Sequence, residues 1–278
     1  MSFIEILKSI AQGIIEGITE WLPVSSTGHI LLLDAFWKMD ASEAFFDVFK
    51  VVIQLGAILA VVLLYFHKLN PFSPKKSAEE KKGTWVLWSK VLVASIPAAV
   101  AGLALDDLID GVLSTPVVIA AALVVYGIAF IIMESRKKHT AKVETVEDIT
   151  YKHAFGIGAF QMLALIPGTS RSGSTILGAS LLGTSRTAAA EFSFFMAIPV
   201  MLGASGLKLV KALVLDNVSF TPEEWGYLAI ATAVSFVVSV LVIRGLMAFI
   251  KKYSFKPFGW YRIALGGVVL GCVAMNWL

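Results

Sequence analysis

Charge is scarce in this 278-residue sequence, and cysteine is scarcer still. Asp, Glu, Lys and Arg make up 15% of the residues and hydrophobic types 57%, whereas an ordinary soluble domain carries about 25% charged residues. That balance argues against a water-soluble globule. The single cysteine, Cys272, excludes an intramolecular disulfide and a cysteine-based metal cluster. No basic patch interleaved with aromatics is present, so nucleic acid is not an expected partner. A cleavable leader is not expected either. Glu5, Lys8, Glu16 and Glu20 interrupt the first apolar stretch, no short apolar core runs into a small-residue cleavage site, and Met1 onward is expected in the mature protein.

What the sequence has is apolar runs. A helix needs about 20 mostly apolar residues to cross a bilayer, and six stretches qualify: 45–66, 86–105, 117–133, 188–213, 227–250 and 258–278. Two further apolar regions are broken. Residues 3–37 are cut by Pro23-Val24-Ser25-Ser26-Thr27-Gly28-His29, and residues 154–183 by Pro167-Gly168-Thr169-Ser170-Arg171-Ser172-Gly173. Irregular backbone is not tolerated against lipid, so each break must be buried in protein or line a wet cavity. The expectation is an all-α integral membrane protein, one membrane domain over 1–278, with six transmembrane helices and two re-entrant hairpins.

Charge placement orients the spans. Lys68, Lys75, Lys76, Lys81 and Lys82, then Arg136, Lys137, Lys138, Lys142 and Lys152, then Arg244, Lys251, Lys252 and Lys256 fall in alternate connections, which the positive-inside tendency places in the cytoplasm. Asp106, Asp107 and Asp110, and Asp216, Glu223 and Glu224, fall on the other side. The connections 67–84 and 135–152 read as solvated loops. The seven tryptophans, Trp21, Trp37, Trp85, Trp88, Trp225, Trp260 and Trp277, mostly flank spans and read as interfacial anchors.

The chain also resembles itself. A shift of 145 residues places Glu16 on Gln161, Ser25 on Ser170, Thr27 on Ser172, Gly28 on Gly173 and Leu32 on Leu177; a shift of 147 places Gln54-Leu55-Gly56-Ala57 on Met201-Leu202-Gly203-Ala204. Three spans separate the copies, an odd number, so the second is expected upside down relative to the first: 1–134 and 150–278 as inverted repeats. Such architectures put a ligand site near the midplane, where the broken helices meet.

The residues at that meeting point suit phosphate chemistry. Glu16 and Glu20, four apart, share a helix face; they either snorkel at a helix end or bind a divalent cation together with phosphate oxygens. Ser25, Ser26, Thr27, Gly28 and His29 open a returning half-helix. One hydroxyl there can simply cap the helix, but a free helix N-terminus also binds anions, and a hydroxyl or imidazole beside it can attack phosphorus or move a proton. Arg171, flanked by Ser170, Ser172 and Gly173, is either a cytoplasmic topology signal or a bidentate phosphate ligand. Arg186, at a hairpin end, reads as the former.

The strings Glu16-Gly17-Ile18-Thr19-Glu20-Trp21-Leu22-Pro23-Val24-Ser25-Ser26-Thr27-Gly28-His29 and Pro167-Gly168-Thr169-Ser170-Arg171-Ser172-Gly173 closely resemble the two signature motifs of the bacterial undecaprenyl-diphosphatase family, also called bacitracin-resistance proteins, and the likeness extends to Gln54-Leu55-Gly56-Ala57 and Glu191-Phe192-Ser193-Phe194. The resemblance implies hydrolysis of undecaprenyl pyrophosphate to undecaprenyl phosphate, recycling a lipid carrier for cell-wall synthesis in the bacterial cell membrane. It implies a divalent cation, Mg2+ or Ca2+, with the acidic motif on Glu16 and Glu20, the catalytic serine and histidine on Ser26 and His29, the phosphate-binding arginine on Arg171, and a site opening to the outer side. Membrane lipid is the surrounding partner, and a homodimer is compatible with it. The rival reading is a polyprenyl-phosphate transporter or flippase, since paired broken helices are transporter architecture.

Overall fold

The computed structural model describes residues 1–108, 113–136 and 141–278. Asp110, Lys137 and Lys138, used above for orientation, lie outside the described residues, as do the side chains of Asp106 and Asp107. The chain folds as helices α1 (Phe3–Thr19), α2 (Ser26–Phe36), α3 (Glu43–Val52), α4 (Gln54–Leu64), α5 (Phe66–Leu69), α6 (Ala78–Leu108), α7 (Pro116–Ser135), α8 (Tyr151–Met162), α9 (Arg171–Leu181), α10 (Arg186–Val210), α11 (Pro222–Ile250) and α12 (Lys256–Ala274). Among the described residues the only β feature is an isolated bridge between Val143 and Thr184.

Among the described residues six segments are long and apolar enough to cross a membrane: Glu43–Leu64, Ala78–Leu105, Pro116–Ser135, Arg186–Leu215, Pro222–Ile250 and Lys256–Ala274. They coincide with the six expected stretches, with three differences. The first bends at Ile53, between α3 and α4. The second begins at Ala78, so Lys81 and Lys82 lie on a helix and not in a loop; Ser77 N–H donates to Glu80 Oε2 at 2.7 Å and Glu80 N–H to Ser77 Oγ at 3.2 Å, a reciprocal cap that starts the helix early. The last ends at Ala274 instead of running to the terminus.

The four helices beside the polar breaks are short. Helices α1, α2, α8 and α9 have 17, 11, 12 and 11 residues. At about 1.5 Å per residue none reaches the roughly 30 Å of a hydrocarbon core.

Glycines set the closest helix contacts. Helix α1 lies along α11, α8 along α6, and α7 along α12. A Cβ on Gly13 would stand 2.5 Å from Ala231 O, and one on Gly158 would stand 2.2 Å from Ala94 O; on Gly127 and Gly259 it would meet the other's carbonyl oxygen at 2.7 and 2.8 Å. Small residues let helix backbones approach in this way, which gives dispersion contacts no bulky pair can match. Gly13 and Gly158 are 145 positions apart, in the register of the first internal match. The matched Gly56 and Gly203 are not alike: the first is pressed against Thr232 O and the second has no atom within 4 Å.

The main apolar core gathers around α10, whose Phe192, Phe194, Phe195 and Met196 are fully buried among Ala57, Val61, Phe130 and Ile176. Gly158→Ala must force α8 off α6 and is expected to cost about 1–3 kcal/mol, read as a lowered thermal midpoint in detergent. Gly203→Ala, with nothing near its Cβ, should leave the midpoint unchanged.

Candidate active site

Both polar breaks turn the chain through a strained serine. Ser25 (φ 74°) precedes α2 and Ser170 (φ 75°) precedes α9; apart from Asn217, Asn276 and two glycines, they are the only positive-φ residues among those described. Asparagine tolerates this region and serine does not, and such strain persists only where the surroundings enforce it. Ser170 Oγ caps its helix by accepting from Gly173 N–H at 3.1 Å. Ser25 caps nothing, and its buried hydroxyl has no partner, so α2 begins without a side-chain cap.

The two breaks meet at one ion pair. Arg171 Nη2 donates to Glu20 Oε1 at 2.8 Å, with both side chains nearly enclosed, at 10% and 6% exposure. Ser26 Oγ donates to the other oxygen, Glu20 Oε2, at 3.2 Å. Arg171 Nη1 is held by Ser193 O at 2.7 Å and Ser193 Oγ at 3.2 Å, and its guanidinium carbon lies 5.6 Å from the centre of the Trp21 ring. The Ser172 hydroxyl lies 2.9 Å from Glu20 O and 3.2 Å from Leu22 O, and 3.1 Å from Ser170 Oγ, which closes the cluster behind the ion pair.

His29 stands one turn after Ser26 on α2. Its Nδ1 is 2.7 Å from Ser25 O, and since a carbonyl only accepts, Nδ1 carries the proton. Its Nε2 lies 2.7 Å from the Tyr261 hydroxyl. Both ring nitrogens are thus taken, and His29 makes no hydrogen bond to Glu20, Ser26 or Arg171. Thr27 is exposed. Gly28 faces α7 and α12, where a Cβ would stand 3.2 Å from Leu123 and 3.7 Å from Leu265.

Four contributors were not read from the sequence. Trp21 is no interfacial anchor: it is fully buried, edge-on to Phe194 at 5.1 Å and under Arg171. Ser193 and Tyr261 sit in spans that look merely apolar. Arg262 is fully buried; its Nη1 donates to Pro23 O at 3.1 Å in the first break, and its Nη2 to Gly168 O and Thr169 O, each at 2.9 Å, in the second. Its presence inside an apolar stretch was the available signal, because charge at membrane depth is functional by default. Arg186 pairs with Glu134 at 2.5 Å, away from this cluster.

The expected cation ligands are unequal. Glu20 has both oxygens occupied, whereas both Glu16 oxygens and the Gln12 amide are buried with no hydrogen-bond partner. Glu16 lies within electrostatic reach of Glu20 and Arg171. Among the described residues no group of three or more His, Cys, Asp or Glu is assembled to hold a metal. Two carboxylates and a carboxamide on one helix face still suit a hard dication such as Mg2+, which takes one or two carboxylates and completes its shell with water and phosphate oxygens.

Six apolar spans among the described residues, around a buried acid, hydroxyl and guanidinium, define a multi-pass membrane protein with a polar centre. The chain belongs to the bacitracin resistance protein BacA family, whose profile matches residues 9–268. It is 58% identical to an undecaprenyl-diphosphatase of Enterococcus faecalis over 98% of each chain. It is 55% identical to that of Lactiplantibacillus plantarum over 96% of this chain and 98% of the relative, and 55% identical to undecaprenyl-diphosphatase 1 of Clostridioides difficile over 97% and 96%.

Because Trp21 forms the wall under Arg171, Trp21→Ala is expected to cost about 3–5 kcal/mol and to lower the thermal midpoint sharply. Trp37→Ala, at a half-exposed ring, should shift it little.

Proposed function

We propose that this chain hydrolyses undecaprenyl pyrophosphate to undecaprenyl phosphate and inorganic phosphate, recycling a lipid carrier in the bacterial cell membrane and lowering sensitivity to bacitracin. The observation that carries the reading is the continuous Arg171–Glu20–Ser26 chain of hydrogen bonds at the uncapped start of α2. The names of the close relatives agree with it.

Phosphoryl transfer is catalysed mainly by positioning and charge neutralisation. Arg171 binds the terminal phosphate as a bidentate donor, and the leading amides of α2 supply further donors. Ser26 attacks the terminal phosphorus or orients the attacking water. The bond from that phosphorus to the bridging oxygen breaks, and undecaprenyl phosphate leaves. A phosphoserine, if formed, is cleaved by water to free the hydroxyl. Glu20, which accepts from the Ser26 hydroxyl and holds Arg171, takes the proton of that hydroxyl, which leaves on inorganic phosphate, and His29, joined to Tyr261, moves the proton of the attacking water. Ser25, Thr27, Gly28, Ser170, Ser172 and Gly173 shape the two phosphate-facing turns. Mg2+ or Ca2+ held by Glu16 and Glu20 would neutralise the diphosphate and polarise its oxygens.

The same reading takes α1–α2 and α8–α9 as re-entrant hairpins and the segments 1–134 and 150–278 as inverted repeats. The short helices and the matching Gly13–Ala231 and Gly158–Ala94 contacts support this. The first hairpin enters from the outer side, where the site opens. A polyprenyl-phosphate transporter is the second reading, favoured by that repeat pattern alone; flux between leaflets of a vesicle without phosphate release would select it.

Phosphate release by the purified protein tests the proposal. Ser26→Ala, Glu20→Gln and Arg171→Ala should each lower kcat/KM by about 100-fold or more, and His29→Ala by a similar factor. Near-normal turnover in all four would exclude this site. Chelation of divalent cations should abolish release and Mg2+ or Ca2+ restore it, while phosphate trapped on Ser26 would identify the nucleophile.

A further inference from the structure

The geometry points to Arg262 as a positioning residue for the diphosphate, through an unpaired charge placed behind both broken turns; this rests on the hydrolase reading above. Three observations converge on it. The guanidinium is fully buried and joins the first break to the second through Pro23 O, Gly168 O and Thr169 O, with longer contacts of 3.4 Å to Leu123 O and Ala122 O on α7. It therefore fixes how far apart the starts of α2 and α9 stand.

Next, every acceptor is a neutral carbonyl. Among the described residues no carboxylate pairs with Arg262, and its one ring neighbour is Tyr126, 5.6 Å from the guanidinium carbon. Arg171, by contrast, is neutralised by Glu20. A substrate diphosphate needs more positive charge than a neutralised pair supplies, and the field of a buried charge is screened little by salt.

Lastly, the charge lies where the anion is needed. Arg262 Nη1 stands 3.2 Å from where a Cβ on Gly173 would be, against the first turn of α9, and the guanidinium is within electrostatic reach of His29. It sits behind the backbone and does not touch substrate. Its action is transmitted through the two turns and through the field.

The fork and the charge can be separated by substitution. Arg262→Lys keeps the charge but cannot span both turns; Arg262→Gln keeps some hydrogen bonding and loses the charge. Inorganic pyrophosphate serves as the binding probe on the full chain in detergent, by thermal shift, alongside kcat and KM for undecaprenyl pyrophosphate. Arg262→Gln is expected to weaken pyrophosphate binding about tenfold or more. Arg262→Lys should hold that affinity within about threefold while kcat falls about tenfold. Unchanged pyrophosphate affinity in Arg262→Gln, or unchanged kcat in Arg262→Lys, overturns the assignment, because a purely structural staple would lower only the thermal midpoint. If Arg262→Gln is not recovered folded, Arg262→Lys decides alone: a fall in kcat at constant KM supports the assignment, and a wild-type kcat overturns it. Failure of the wild type to release phosphate would instead strike the hydrolase reading, and the pyrophosphate arm would still stand.

Discussion

A helix broken among apolar neighbours must find new partners for the carbonyls it frees, since each one left unpaired away from water costs several kcal/mol. Here one guanidinium answers that demand for both breaks at once. Arg262 gathers carbonyls from Pro23, Gly168 and Thr169, and the Arg171–Glu20 pair and the Ser172 hydroxyl add further links between the same two turns. The strained serines follow from it: Ser25 and Ser170 keep positive φ because the turns that contain them are pinned from behind.

With the turns fixed, the side chains in front have few choices. Glu20 terminates α1 while Ser26 and Arg171 open α2 and α9, so a single carboxylate closes the loop between them. Trp21 and Phe194 fill the space beneath, and Ser193 anchors the far side of Arg171 from α10. The aromatic packing around α10 thus serves the polar cluster as much as the core. A guanidinium held by Glu20 and Trp21 at the end of α1 and by Ser193 on α10 has little freedom left to lose on binding an anion, which is the physical content of preorganisation.

How much of this could be read beforehand depended on the kind of signal. The six spans follow from hydropathy, which is a property of whole segments and survives any detail of packing. The polar breaks stood out for the same reason, and Glu20, Ser26 and Arg171 stood out because they interrupt apolar text. Trp21 did not: a tryptophan at the end of a helix looks the same whether it anchors at an interface or lies under an arginine, and only the approach of α9 and α10 decides. Arg262 was hidden by a span that still scores as apolar around it, and Ser193 and Tyr261 by residue types that are ordinary in membrane helices. Gly28 stood out by its place in a hydroxyl-rich string, whereas its packing against Leu123 and Leu265 shows only in the fold. The start of α6 moved because Ser77 and Glu80 cap each other, a local bond that charge counting ignores.

The ion pair between Glu20 and Arg171 also sets a threshold for entry. On the proposed reading, a head group that binds this guanidinium meets a carboxylate already in place, so the pair favours ligands richer in negative charge than Glu20 itself. The phosphodiesters of bulk phospholipid carry a single charge and gain little by the swap, whereas a terminal phosphate bearing two is better matched. Under that reading, the internal competitor would act as a filter on valence, separate from any recognition of the hydrocarbon tail.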